Sequence, residues 1–465
     1  MSDFNESQYR AGQRPLRLSH LHSARTEILI CTVIGLIALL LLLHLRWTWT
    51  SDDAVYRDWS APYGQFGGSL LAFLAMRLST WTSRVAIEAA IFTVVNHVFL
   101  WRVITALALW ILVVVPPFLI TGDVRKRLWL LPISGLMALS IPGTVWFDAG
   151  YIATTVNYLW ALSAGVLAAL PALLLVQQRP FSPMWYLVAI PGAVFAGSSE
   201  IVSVFLFVVY AITLWHLIRG KVFTDRQNAG FQPLRCSTAN LFSVAAILFF
   251  IVSMVAYHLL SPGNAARGQN ADWFGPTFKV LFERSYSSTL RQIFMSGYLI
   301  PLIFFGVVTY LNYRRRGFSV FTLLSLIPVA GSLLLRDALV PGTVGTVFQN
   351  LFIDGNLLWD TSDPVLPATM FRDNLLAIIA LTTLMLTALV SIITAFQGGH
   401  RLFVVVGILA AGFASKFIVV NTIGHALSIP FHRTDLYMLF AFMIATLISV
   451  SDLLKARDDE IRYAD

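Results

Sequence analysis

Long apolar runs separated by short polar breaks recur from one end of this chain to the other. A helix needs about 20 mainly apolar residues to cross roughly 30 Å of hydrocarbon. Twelve runs approach that length, at 28–46, 98–120, 129–143, 156–176, 182–199, 201–218, 238–260, 292–311, 318–336, 374–396, 402–420 and 435–453. The pattern predicts an all-α, polytopic membrane fold with about twelve transmembrane helices. The runs at 129–143 and 182–199 contain Pro142-Gly143 and Pro191-Gly192 and are the weakest of the set. Residues 47–97 break the pattern. Two apolar stretches there, ending at Trp81 and Phe99, each carry one charge, Arg77 or Glu88. Helices of that kind lie in the interface plane, and reading them as a spanning pair would invert every loop that follows.

Composition agrees with this layout, since 57% of the residues are hydrophobic and only 12% are charged, about half the charge of a soluble protein. The basic residues then orient the chain. With the N-terminus inside, the inner segments hold Arg10, Arg14, Arg17 and Arg25, Arg125 to Arg127, Arg179, the set Arg219, Lys221, Arg226 and Arg235, Arg314 to Arg316, Arg401, and Lys455, Arg457 and Arg462. Those are 19 of the 32 basic residues, as expected where Lys and Arg stay cytoplasmic. The expected organisation is a cytoplasmic segment 1–26, one helical domain 27–453 and a cytoplasmic tail 454–465. Its long outer segments are 47–97, 261–291 and 337–373. The first run lacks a small-residue cleavage site and reads as a retained anchor. The net charge of +8 describes the inner face and its attraction to anionic lipid, with no case for nucleic acid. Cys31 and Cys236 imply no disulfide framework.

The candidate chemistry lies on the outer side. Ser51-Asp52-Asp53 follows the first run at once, with Tyr56, Arg57 and Asp58 behind it. Asp148 sits in a short turn between two spans, where it is equally suited to cap the next helix. Glu200 follows Gly197-Ser198-Ser199 with almost no loop around it, a costly place to keep an acid. Ser261-Pro262-Gly263-Asn264, with Arg267 close behind, has the composition of an anion-binding turn. Arginines that topology would deplete from this side persist, among them Arg84, Arg267, Arg284, Arg291, Arg372 and Arg433. Guanidinium groups match phosphate oxygens in pairs. The histidines lack ligand spacing, and no nucleotide loop or hydrolase motif is present.

The combination of Asp52-Asp53, Asn157-Tyr158-Leu159-Trp160, the isolated Glu200 and Ser261-Pro262-Gly263-Asn264 with Arg267 resembles a family of bacterial multi-pass membrane proteins grouped with the GT-C fold glycosyltransferases. The resemblance covers about residues 28–290. It implies a polyprenyl-phosphate sugar donor, a glycan or lipid-linked acceptor, and work at the outer face of the bacterial cytoplasmic membrane. Asp52, Asp53 and Asp148 take the positions of the family's outer-loop acids, as base or as orienting groups. Arg267, with Arg284 and Arg291, would hold the donor phosphate, and Tyr56, Asn157, Tyr158, Trp160, Glu200 and Asn264 would contact substrate. A base without a nucleophile partner fits inversion. No cofactor is implied, and a divalent metal stays open. Two rivals remain: a lipid-linked glycan polymerase or ligase, for which Arg372 would be the critical cation, and a glycolipid transporter or flippase.

Overall fold

A computed structural model describes residues 14–46, 48–49, 51–147, 150–176, 182, 184–218, 221–222, 232–233, 238–270, 286, 289–290, 292–335, 375–397, 400–422 and 432–464. Each of the twelve apolar runs coincides with a helix. Among the described residues, six helical stretches are long and apolar enough to cross a membrane: Ser23–His44, Val98–Ile120, Tyr151–Leu175, Thr238–Ala266, Ile379–Phe396 and Asp435–Lys455. The chain is a helical membrane protein. The other six runs fall on helices whose described apolar stretches are shorter or more charged, so among the described residues length and composition support six crossings and do not establish twelve. The described strands are a two-residue ladder, Lys221–Val222 against Gln232–Pro233.

The N-terminal half carries most of the candidate residues. Helix α1 (Arg14–His44) packs on α5 (Val98–Ile120). Arg102 of α5 donates to the carbonyls of Leu43 and Leu45, at 3.2 and 3.0 Å. Those carbonyls lack helical partners at a C-terminus, so this cation ends α1 and fixes where the next segment leaves it. Three short helices follow: α2 (Asp52–Ser60), α3 (Leu70–Thr80) and α4 (Val85–Val94). At 1.5 Å per residue they reach only about 14–17 Å, too short to cross.

An aromatic core and one ion pair hold α2, α3 and α4 together. Phe73 is fully buried, stacked on Phe92 at 4.8 Å and edge-on to Tyr56 at 6.0 Å. Arg77 of α3 donates to both carboxylate oxygens of Glu88 on α4, at 3.1 and 2.9 Å. Tyr56 donates to Glu88 at 2.8 Å and accepts from Arg77 at 3.1 Å. The two charges that interrupted the apolar stretches therefore neutralise each other inside the unit.

Next come α6 (Val124–Leu139) and a short α7 (Gly143–Phe147). Helix α8 (Tyr151–Thr154) passes through a π-helical turn (Thr155–Trp160) into α9 (Ala161–Val176). Then follow α10 (Trp185–Gly197), α11 (Glu200–Ile218), α12 (Thr238–Leu260) and α13 (Pro262–Asn270). After these come α14 (Leu299–Arg316), α15 (Val320–Leu335), α16 (Leu375–Phe396), α17 (His400–Thr422), a 3-10 turn (His432–Thr434) and α18 (Asp435–Ala464). Helices α9 and α18 are the axis of the bundle: their spans are 72% and 78% buried, against 17% for α1 and 11% for α12. Small residues explain the close packing around α9, where Ala168 and Ala172 are fully buried and Tyr210 of α11 donates to the Ala168 carbonyl at 2.6 Å.

Helix α18 also sets the distance between the two ends of the molecule. Asp435 and Asp452 are separated along it by about 26 Å, close to a hydrocarbon thickness. At the Asp435 end, Tyr298 donates to the buried carboxylate at 2.6 Å. At the Asp452 end lie Arg315 and Arg401.

Candidate functional site

At the Asp435 end, the turn from α3 to α4 draws distant segments together. Thr82 and Ser83 are buried there, and Arg84 follows them. Arg84 donates through Nε to Glu200 Oε2 at 2.7 Å and through Nη1 to Asn157 Oδ1 at 3.3 Å. The Glu200 carboxylate beside it, with the Tyr158 and Tyr437 hydroxyls, raises the Arg84 pKa against the opposing effect of burial. It stays a cation. Glu200 is the first residue of α11, where an acid complements the helix dipole. The α4 N-terminus is supported from the same junction, its Ala86 N–H donating to Ser198 Oγ at 3.3 Å.

Ser83 extends the assembly to α12 and α13. Its Oγ lies 2.6 Å from His258 Nδ1, and His258 Nε2 lies 2.7 Å from the Gly197 carbonyl. A carbonyl only accepts, so Nε2 carries the proton, Nδ1 accepts and the Ser83 hydroxyl donates. Asn264 Nδ2 donates to Ser83 Oγ and to the His258 carbonyl, both at 2.9 Å. The Pro262-Gly263 pair is therefore not an open anion-binding turn. It ends α12 and starts α13, with proline at the first helical position where no N–H is needed. Gly263 is required because a Cβ there would meet the Leu78 carbonyl and the Thr82 amide, each at 2.6 Å.

The two adjacent aspartates part company. Asp53 is fully buried. Its carboxylate accepts from the amides of Ile152, at 3.1 and 3.0 Å, and of Ala153, at 2.8 Å. It thus caps helix α8, whose own cap residue is Gly150. Gly150 has φ +114°, and a Cβ would come within 2.7 Å of Asp53 Oδ1, so the glycine and the aspartate fit only each other. Burial raises the Asp53 pKa, with the backbone amides pulling it back and the Asp52 charge adding to the rise.

Asp52 keeps 53% of its side chain exposed, and its Oδ2 lies 3.9 Å from Arg433 Nη1. The Arg433 guanidinium stands over the Tyr158 ring, 5.9 Å from its centroid, and Tyr158 meets Tyr437 edge-on at 6.2 Å. Ser51, just before Asp52, has φ +52°, a conformation that costs a non-glycine residue about 1–3 kcal/mol and concentrates at functional sites. The π-helical turn that carries Asn157 and Tyr158 is another such irregularity.

The candidates therefore divide. Asp52, Asn157, Tyr158 and Glu200 gather around Arg84 and Arg433. Asp53 supports that group from behind. Tyr56 is closed inside the Arg77–Glu88 pair, and Trp160 spends its Nε1 on Thr105 at 3.0 Å, so neither faces the cluster. Asn264 locks Ser83 and His258. Asp148, Arg284, Arg291 and Arg372, and the side chain of Arg267, lie outside the described residues. Arg84 and Arg433 stood among the outer arginines in the sequence, with nothing local to set them apart from the rest. Partners 116 residues away, for Arg84, and on the opposite part of the chain, for Arg433, distinguish them.

Among the described residues no three His, Cys, Asp or Glu side chains are arranged to hold a metal ion, and Asp52 faces a guanidinium. No protein-family model, no curated protein and no solved structure matches the chain.

Proposed function

We propose that this protein is a membrane glycosyltransferase. It moves a sugar from a polyprenyl-phosphate donor to a glycan or lipid-linked acceptor at the outer face of the bacterial cytoplasmic membrane, with both termini inside. The observation that carries this reading is the half-exposed Asp52 carboxylate facing Arg433 at 3.9 Å, close to the end of a membrane-length helix. That pairing supplies the two things such a transfer needs. The acceptor hydroxyl gives its proton to Asp52 while its oxygen forms the new bond to the sugar C1. The bond from C1 to the phosphate oxygen breaks, and the phosphate leaves with the electron pair, its charge met by Arg433. Direct attack inverts C1. Arg84, held by Glu200 and Asn157, keeps the wall of the site in place.

A positioned base contributes typically 10²–10⁴-fold. The test is product formation by the purified protein in vesicles supplied with a polyprenyl-phosphate sugar and an acceptor. Asp52→Asn is expected to lower the rate at least about 100-fold while leaving the melting temperature unchanged, and Arg433→Gln to weaken use of the donor. Full activity in Asp52→Asn would end this reading. Uptake of glycolipid with no sugar transferred would point to transport.

A further inference from the structure

Transfer chemistry leaves the buried Ser83–His258 pair unused. Ser83 is fully buried and His258 nearly so. Four segments meet on them: the α3–α4 turn, the ends of α10 and α12, and the start of α13. The hydrogen bonds among these segments run in one direction. Asn264 Nδ2 donates to Ser83 Oγ at 2.9 Å, Ser83 donates to His258 Nδ1 at 2.6 Å, and His258 Nε2 donates to the Gly197 carbonyl at 2.7 Å. Only a neutral imidazole with its proton on Nε2 completes that sequence.

A second proton on this ring has no acceptor. It would sit on Nδ1 and point an N–H at a hydroxyl that is itself donating. Ser83 would then have to turn its hydrogen elsewhere. Asn264 Oδ1 is buried and has no hydrogen-bond partner, but it belongs to the amide whose Nδ2 faces Ser83. Turning that amide over would set Oδ1 against the His258 carbonyl, to which Nδ2 now donates at 2.9 Å. Charge gives no relief either. Among the described residues, the charged groups acting on His258 are Glu200 from α11 and Arg84 from the α3–α4 turn. They already pair with each other at 2.7 Å, so an imidazolium would have to share that carboxylate. Tyr257, on the same helix, lies beside the ring with centroids 5.9 Å apart. From α10 and α13 the ring meets the Gly197 carbonyl and, through Ser83, Asn264.

We propose that Ser83 and His258 form an acid-sensitive latch. Protonation of His258 Nδ1 breaks the Ser83 bond and frees the α3–α4 turn, which carries Arg84, from the end of α12. The latched form binds fewer protons than the released form, so neutral pH favours the latch and acid favours release. The latch does not depend on the transferase reading.

Amide hydrogen exchange of the full-length protein in nanodiscs tests it, read on peptides covering 82–90 and corrected for the intrinsic effect of pH. The range from about pH 7.5 down to about pH 5 spans the ordinary histidine value of about 6.5. Protection of the wild-type turn should fall about ten-fold toward acid, the scale of one buried hydrogen bond left unmade. In His258→Asn the amide oxygen keeps an acceptor near the Nδ1 position but does not titrate, so the step should vanish. Ser83→Ala has no hydroxyl bond to lose and should also show no step, which serves if the histidine variant fails to fold. Equal wild-type protection at both ends of the range would overturn the proposal, as would a step that survives in either variant. Acid also protonates Asp53, whose effect falls on the α8 amides. A step confined to peptides over 151–160 would therefore overturn the latch as well.

Discussion

Successive residues of a helix point about 100° apart, and in α2 that rotation separates Asp52 from Asp53. Asp52 turns toward Arg433 and solvent, and Asp53 toward the amides of Ile152 and Ala153. The sequence contains the pair but not the rotation, so it could not assign the two roles. For Asp53 the pH dependence can be worked out. Its folded pKa is raised above the unfolded value of about 3.9, so the folded state binds more protons between those two values. Stability should fall as pH rises through that window and level off above it. Thermal melts from pH 3.5 upward should show this slope in the wild-type protein and lose it in Asp53→Asn. The same variant should melt lower at pH 7, by about 1–3 kcal/mol, because an amide offers the α8 N–H groups one acceptor oxygen instead of two. An unchanged melt would mean that the cap contributes nothing.

At the scale of elements, the short helices α2, α3 and α4 depend on one another. None is long enough to be stable by itself, and the aromatic core and the Arg77–Glu88 pair supply what each lacks. Glu88→Gln strands a buried guanidinium, which typically costs about 3–5 kcal/mol. The expected outcome is a protein that still inserts but exposes the 47–97 segment to limited proteolysis. Gly263→Ala acts on the contact between α13 and α3. Its methyl would meet backbone atoms at 2.6 Å, so one helix must move away, at about 1–3 kcal/mol. Because Asn264 is next to it, loss of the Ser83–His258 lock should accompany the drop, visible as a change in the His258 ring resonances.

For the whole molecule, the ends of α18 divide the charges into two classes. At one end Asp52 and Arg433 face each other at 3.9 Å. At the other, Arg315 and Arg401 share Asp452. A membrane-impermeant thiol reagent should tell the faces apart in a background without Cys31 and Cys236. Tyr63→Cys, fully exposed on the 47–97 segment, should label in intact cells, and Phe318→Cys only after permeabilisation. The reverse pattern would invert the topology and remove the outer-face reading of the Asp52 site.

What the sequence determined by itself was the helical membrane class and the apolar runs on which the helices fall. Both follow from hydropathy along short stretches of chain, where the deciding interaction is between one segment and its solvent. Which charges meet was decided only by the tertiary structure. Arg84 finds Glu200, Asp53 finds the start of α8, and Ser83 finds His258, across separations of 116, about 100 and 175 residues. No local pattern encodes such pairings. They arise because burying a charged or polar group in a membrane protein is costly until a partner reaches it, and packing around α9 and α18 brings the partners within reach.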